Sequence, residues 1–362
     1  MRKIGILTFH RAVNYGAVFQ MYALCKAIER LGGSPEVIDY RCKMIEDFYY
    51  KPASKDYSIK MNLKSFLYYG KQKRRNTAFE GFQNNLIPLS KEKYYNSSEM
   101  KVTEDLYDAF IVGSDQVWNY KCIRGDKAFL LDFVNAGEKK NSYAASLGKM
   151  TEEELELMNF SRYLSEYNQI SVREKEGFDI IKKCSKKDVD ICLDPTLLLE
   201  KIDWNEISQY EETKKFVLVY SVNLPRKVIE IGRKLALEKG LKLIVVTLEN
   251  KYSPMKNEEN QSFCTPQRLL GYFENAEYVV TNSFHGTVFS IINQREFITI
   301  KNDKTGLDNS RLETLLESLG LESRLVDDYR FNDKIDYDKV ANNLRVLKEK
   351  SLEYLERIVV SK

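Results

Sequence analysis

Short apolar runs alternate along this chain with longer stretches in which apolar residues recur every three or four positions, the signature of strands alternating with helices. Lys3 to Phe9 predicts a buried strand. Val18, Met21, Tyr22, Cys25, Ile28 and Leu31 then fall on one stripe of a helix predicted from Ala17 to Leu31. Gly32-Gly33 ends that helix, and Glu36 to Tyr40 predicts the next strand. The stretch 41–105 is rich in Tyr and Lys with weak periodicity and reads as an insertion of helices and loops. Alternation resumes with a strand at Ala109 to Val112 and another around Ser142 to Ser146. Thr151 with Glu154 forms a capping box for a helix predicted to run to about Tyr167. Short strands at Gln169 to Val172 and Val189 to Leu193 flank one more helix.

Asp194-Pro195 breaks the pattern, and a linker over the following residues marks a predicted domain boundary near 200. Beyond it the pattern is cleaner: strand Phe216 to Tyr220, a helix begun by Pro225, strand Leu241 to Thr247, and a helix with Thr265 as N-cap and Pro266 in its first turn. Strand Glu277 to Thr281, an apolar helix after His285, and strand Phe297 to Ile300 follow. The expected architecture is α/β: a first lobe over 1–200, a second over 201–335 and a final helix within 336–362 that packs back on the first lobe, with a cleft between the lobes.

Composition adds boundaries rather than detail. A chain of 362 residues exceeds the usual single core, and 43% hydrophobic with 30% charged residues describes an ordinary globular protein. Lys and Arg number 56 against 53 Asp and Glu, and a net charge of +3 gives no reason to expect a nucleic-acid partner. The opening Met1-Arg2-Lys3 lacks the apolar stretch of a signal peptide, and no apolar run approaches the roughly 20 residues of a membrane helix. The six cysteines contain no CxxC pair, so they read as reduced thiols, and a cytoplasmic location, if anything at the inner face of the membrane, is expected. The basic run Lys71 to Arg75 beside Phe66 to Tyr69 reads as a solvated helix face, with peripheral contact to anionic head groups as the alternative.

Candidate chemistry starts from the two histidines of the chain, His10 and His285, because each stands where an apolar strand runs out into a loop. Ligands of open α/β sheets bind outside the carboxyl ends of strands. His285 is followed by Gly286-Thr287 and an apolar helix whose first N–H groups face the same spot, an anion site beside a proton donor. Asn14-Tyr15-Gly16 and Gly113-Ser114-Asp115 are further loops after strands. No Gly-rich dinucleotide or nucleotide-triphosphate loop and no HExxH or acidic cluster appears, so no cofactor and no metal are expected.

Five motifs in order carry a resemblance. Phe9-His10-Arg11-Ala12-Val13-Asn14-Tyr15-Gly16-Ala17, Ile111-Val112-Gly113-Ser114-Asp115-Gln116-Val117-Trp118-Asn119, Ser171-Val172-Arg173-Glu174, Asp194-Pro195-Thr196 and Asn282-Ser283-Phe284-His285-Gly286-Thr287 together resemble the polysaccharide pyruvyl transferase family. The resemblance implies a GT-B-like fold of two Rossmann-like lobes facing a central cleft. It also implies transfer of a pyruvyl group from phosphoenolpyruvate to a saccharide as a cyclic ketal, in surface polysaccharide biosynthesis. One departure stands out: better-known members have Arg-Leu-His, the arginine gripping the donor, where this chain has Ser283-Phe284-His285.

On that resemblance His285, Arg173 and Asp115 are the expected catalytic residues. The donor brings a phosphate and a carboxylate, which call for guanidinium groups and oriented N–H donors. Arg173, Ser283, Phe284, His285, Gly286, Thr287, Lys304, Ser310 and Arg311 form the expected donor site. His10, Asn14, Tyr15, Gly16, Ser114, Asp115, Gln116 and Trp118 form the expected site for a saccharide acceptor, free or lipid-linked. Asp115 reads either as a cap or as the acceptor of a hydroxyl proton, and Trp118 as a stacking face or as core. His285 has two open roles, proton donor to the terminal carbon of phosphoenolpyruvate or neutral hydrogen-bond donor to its phosphate. The alternatives are a nucleotide-sugar-dependent glycosyltransferase on the same scaffold and a non-catalytic saccharide-binding protein.

Overall fold

A computed structural model describes residues 1–50, 59–185, 187–210, 214–248, 252–262, 264–302, 309–328 and 334–360, and of 59–69 and 71 the backbone only. The chain divides into two compact units, Met1–Leu198 with Leu347–Lys362, and Leu199–Val346.

In the first unit the strands are β1 (Lys3–Leu7), β2 (Ser34–Tyr40), β3 (Leu89–Tyr94), β4 (Ala109–Gly113) and β5 (Lys140–Tyr143), paired in parallel in the order β3-β2-β1-β4-β5. β1 and β4 are central and covered on both faces, which is why Ile4, Ile6, Leu7, Phe110, Ile111 and Val112 form continuous apolar runs rather than an alternating pattern. The Tyr15–Arg30 helix packs almost all of its length into this core, from Tyr15 to Ile28. Asn14 caps it by accepting the Gly16 N–H at 2.9 Å.

A small parallel pair, β6 (Ile170–Val172) and β7 (Val189–Ile191), continues from β5 through isolated bridges. The Tyr337–Val360 helix ends in this unit, where the Tyr354 hydroxyl donates to Ser142 O at 2.8 Å and Ser351 Oγ accepts Leu193 N–H at 3.0 Å.

Two sequence expectations are corrected here. The stretch 41–105 is not only helices and loops, because β3 extends the main sheet at its edge; its exposed Lys91, Glu92 and Lys93 hide the strand from a hydrophobic-pattern reading. The helix capped by Thr151 ends at Leu157, and a second one, Phe160–Ser165, starts after Asn159, whose φ of 51° interrupts the helical backbone.

The second unit is one six-stranded parallel sheet: β8 (Phe216–Ser221), β9 (Lys242–Thr247), β10 (Glu258–Asn260), β11 (Tyr278–Thr281), β12 (Glu296–Ile300) and β13 (Leu325–Val326), in the order β10-β9-β8-β11-β12-β13. β10 and β13 are short, polar or half-buried edge strands, which periodicity does not reveal. In both sheets the order reverses direction in the middle, between β1 and β4 and between β8 and β11, and at such switch points loops part to leave room for a ligand.

Candidate active site

In the second unit the carboxyl ends of β8, β11 and β12 deliver Ser221, Thr281 and Asn302 to one place. The Phe284–Ile292 helix begins there, capped by Ser283, whose side chain accepts the Gly286 N–H at 3.4 Å. The helix can start so close to the sheet only because residue 286 is glycine: a Cβ would stand 2.2 Å from Thr281 Oγ1 and 2.8 Å from the Tyr220 ring. Thr281 Oγ1 in turn donates to Tyr220 O at 2.7 Å and accepts the Ser283 N–H at 3.0 Å. Thr287 locks the first turn by donating to Ser283 O at 3.1 Å and pairing with Thr299 Oγ1 at 2.7 Å.

His285 sits in that first turn, 9% exposed, its ring edge-on to Phe284 with centroids 5.2 Å apart. On the other helix of this corner, Ser310–Leu319, the Arg311 guanidinium lies 5.9 Å from the same Phe284 ring. An imidazole, a guanidinium and the start of an apolar helix thus share one aromatic neighbour, a donor set suited to an anion. Ser310 is the first residue of its helix and half-buried. Lys304, expected as a third cation, lies outside the described residues.

The first unit holds a cavity of about 710 Å³ at the carboxyl ends of β1, β2 and β4. Of the residues expected to meet the acceptor, Asn14, Asp115 and Gln116 line it. Asp115 has φ 53°, the left-handed region that Asp tolerates better than most residues, and its Oδ1 accepts the Gln116 N–H at 2.8 Å. Gly113 before it has φ 133°, and a Cβ there would lie 2.2 Å from Tyr143 O, so the β4 loop is built on a glycine that nothing else replaces. The cavity also takes Met44, Asp47 and Tyr49 from the Lys43–Tyr50 helix, and Lys121 and Asp126 from the segment after β4. Sequence reasoning missed these. For Met44, Asp47 and Tyr49 the signal is the place of the Lys43–Tyr50 helix, directly after the carboxyl end of β2; for Lys121 and Asp126 it is their place after β4.

Elsewhere in the first unit the Arg173 guanidinium meets Asp194 Oδ2 at 2.6 Å with both side chains buried. Burial works against the arginine's charge, but Asp194, Glu174 and Asp115 outweigh it and hold Arg173 more firmly protonated than an ordinary arginine. Asp194 Oδ1 also accepts from Thr196 N–H and Oγ1, and Ser114 Oγ stands 3.4 Å from Asp194 Oδ2. Arg173 is therefore buried rather than a surface arginine, and Asp194 links it to Ser114, next to Asp115.

Several residues expected on the acceptor side are buried. His10 is 1% exposed and its Nε2 pairs with Asp39 Oδ1 at 2.9 Å inside the unit. Tyr15 has no exposed surface and packs on Phe79 with centroids 4.8 Å apart. Trp118 likewise offers no face to a sugar: its indole N–H donates to Phe129 O at 3.0 Å and its ring meets Phe160 and Tyr167 edge-on. Gly16 and Ser114 are also buried, Gly16 within the helix capped by Asn14 and Ser114 with its N–H donating to Gln20 Oε1 at 3.1 Å and its hydroxyl to Ala144 O at 3.2 Å. These side chains serve the packing of the first unit rather than its surface.

The basic run also divides. Lys73 and Arg74 are exposed, whereas Arg75 turns inward near Tyr49, and Asn76 Nδ2 donates to Tyr49 O at 2.7 Å. Burial lowers the Arg75 pKa, and it pushes the Tyr49 phenol up to about 12. The side chains of Phe66, Leu67, Tyr68, Tyr69 and Lys71 lie outside the described residues. Among the described residues no helix is long and apolar enough to cross a membrane.

Comparison with solved structures finds UDP-GlcNAc 2-epimerase from Methanocaldococcus jannaschii, 12% identical over 99% of this chain and 100% of that one with a TM-score of 0.52. The E. coli ADP-heptose lps heptosyltransferase II is 11% identical over 97% of this chain and 99% of that one, with a TM-score of 0.40. At such identity the likeness to the epimerase speaks of fold alone, α/β with parallel sheets of the GT-B kind. A comparison with curated proteins gives no match. The motifs at the ends of β1, β4 and β11 fall within residues 14–304 or at their edge, and those residues match the family described as polysaccharide pyruvyl transferase; the chain belongs to that family of transferases.

Proposed function

We propose that the protein transfers a pyruvyl group from phosphoenolpyruvate to two hydroxyls of a saccharide, forming a cyclic ketal and releasing phosphate. The observation that carries the reading is the corner of the second unit where His285 opens an apolar helix and Arg311 lies across Phe284 from it. Arg311 supplies a guanidinium in a chain whose position 283 holds the capping serine rather than the arginine of the family pattern.

In this scheme the helix start, Ser283 and Arg311 hold the anionic donor, with Thr287 fixing the first turn beneath them. His285 gives a proton to the terminal methylene carbon, which becomes a methyl group and leaves positive charge at the central carbon. One acceptor hydroxyl bonds to that carbon and loses its proton to a carboxylate base, the role proposed for Asp115, and Asn14 and Gln116 are proposed to bind the sugar. The carbon–oxygen bond to phosphate then breaks, phosphate taking the electron pair. The second hydroxyl bonds to the same carbon, closing the ring, and gives its proton to the departing phosphate. Arg173 serves through Asp194, keeping the Asp115 loop in place. The saccharide belongs to a surface polymer, and the work is done on the cytoplasmic side.

The test is thermal-shift titration of the full chain followed by phosphate release with a mixture of saccharide acceptors. Stabilisation by phosphoenolpyruvate and acceptor-dependent phosphate release, abolished in His285→Ala, support the reading. Stabilisation by UDP-sugars alone replaces it with a glycosyltransferase, and saccharide binding without turnover replaces it with a binding protein.

A further inference from the structure

Four asparagines form a continuous chain of side-chain hydrogen bonds across the carboxyl ends of β8, β11 and β12. Asn282, buried, accepts from Ser221 Oγ at 2.7 Å and donates through Nδ2 to Asn223 Oδ1 at 3.2 Å and Asn302 Oδ1 at 3.0 Å. Asn302 then meets Asn309: its backbone N–H donates to Asn309 Oδ1 at 3.1 Å, its Nδ2 reaches the same oxygen at 3.4 Å, and Asn309 Nδ2 donates back to Asn302 O at 3.4 Å.

The ends of this chain are informative. Asn282 immediately precedes Ser283, the cap of the His285 helix, and Asn309 is the N-cap position of the Arg311 helix. Asparagine is among the best capping residues, and its usual work is to accept N–H groups of its own helix. The Asn309 side chain makes no cap hydrogen bond; it is turned to Asn302 instead. A local benefit is given up for a link between two elements, which is the pattern of a residue selected for placement rather than for helix stability.

We propose that Asn302 and Asn309, acting through Asn282, are positioning residues that set the Arg311 guanidinium relative to the His285 helix and so define the donor-binding corner. This rests on the reading of that corner as the donor site. An amide suits the task because it donates and accepts at once without charge.

Asn309→Ser separates placement from stability. Serine caps well but cannot reach Asn302, so the melting temperature stays level or rises while the link is lost. The expected result is a KM for phosphoenolpyruvate raised roughly tenfold with kcat changed far less, since a misplaced cation costs binding first. An unchanged KM overturns the proposal, and so does a fall in melting temperature that accounts for the loss. Amide hydrogen exchange on Asn302→Ala reads the link without any donor. Faster exchange over both 282–287 and 310–313 supports it, and a change confined to one of the two segments overturns it, whatever the wild-type protein does with phosphoenolpyruvate.

Discussion

Arg173 and Asp194 are joined at 2.6 Å, and both side chains are buried. A pair of this kind contributes little net stability over an apolar pair of similar volume, but it is costly to break, because one charge is left in the interior. Its place in the fold, between β6 and the segment that follows β7, ties the Asp115 loop to the small parallel pair.

Removing one partner is therefore expected to cost about 3–5 kcal/mol, for Arg173→Ala as for Asp194→Asn. Replacing both, as Arg173→Met with Asp194→Leu, is expected to recover most of that stability and none of the activity. Urea unfolding of the three variants checks the first part, and phosphate release the second.

Asp115 separates backbone demand from chemistry. Asn tolerates the left-handed region nearly as well as Asp, so Asp115→Asn is expected to fold like the wild type while turnover falls by about 10² to 10⁴. Asp115→Ala is expected to lose the same activity and about 1 kcal/mol of stability in addition. Melting temperatures beside initial rates decide it; equal activity of Asp115→Asn and wild type removes the proton-accepting role.

Gly286→Ala ordinarily favours a helix by up to about 1 kcal/mol. Here the new methyl meets Thr281 Oγ1 at 2.2 Å, so overpacking of about 1–3 kcal/mol is expected to reverse the sign. The helix start must shift to accommodate it, and donor affinity is expected to fall with stability. Chemical denaturation and donor titration measure the two effects in one variant.

Asp39 predicts a pH dependence in the first unit. Burial disfavours its charge, but hydrogen bonds from His10 and Arg41 outweigh this and hold its carboxyl down from 3.8 to about 2. A carboxyl depressed on folding stabilises above its unfolded value and loses that contribution as pH falls through its folded value, here between about pH 4 and pH 2. Roughly 2 kcal/mol is expected to disappear across that window in the wild type and to be absent from the slope of Asp39→Asn. Urea midpoints at several pH values test it.

The order of strands and helices was legible in the residues because parallel strands covered on both faces must be apolar throughout, as in Ile4 to Leu7 and Phe216 to Tyr220, and helices on their faces must be apolar on one stripe. Caps were legible for the same local reason: Thr151 and Thr265 act on N–H groups within three residues. β3, β10 and β13 were not, because edge strands carry polar residues and owe their conformation to a neighbour.

Loop chemistry divides along the same line. That Gly113-Ser114-Asp115 and Ser283-Phe284-His285 stand at strand ends is a matter of sequence order. Which side chains face a cavity and which face the core was decided only by packing: Trp118 and Tyr15 turn in, Tyr49 and Asp126 reach the cavity, and Arg173 finds Asp194 rather than solvent. The physical reason is range. Periodicity and capping are local, whereas burial, the Asn282–Asn302–Asn309 relay and the Arg173–Asp194 pair depend on residues brought together from distant parts of the chain.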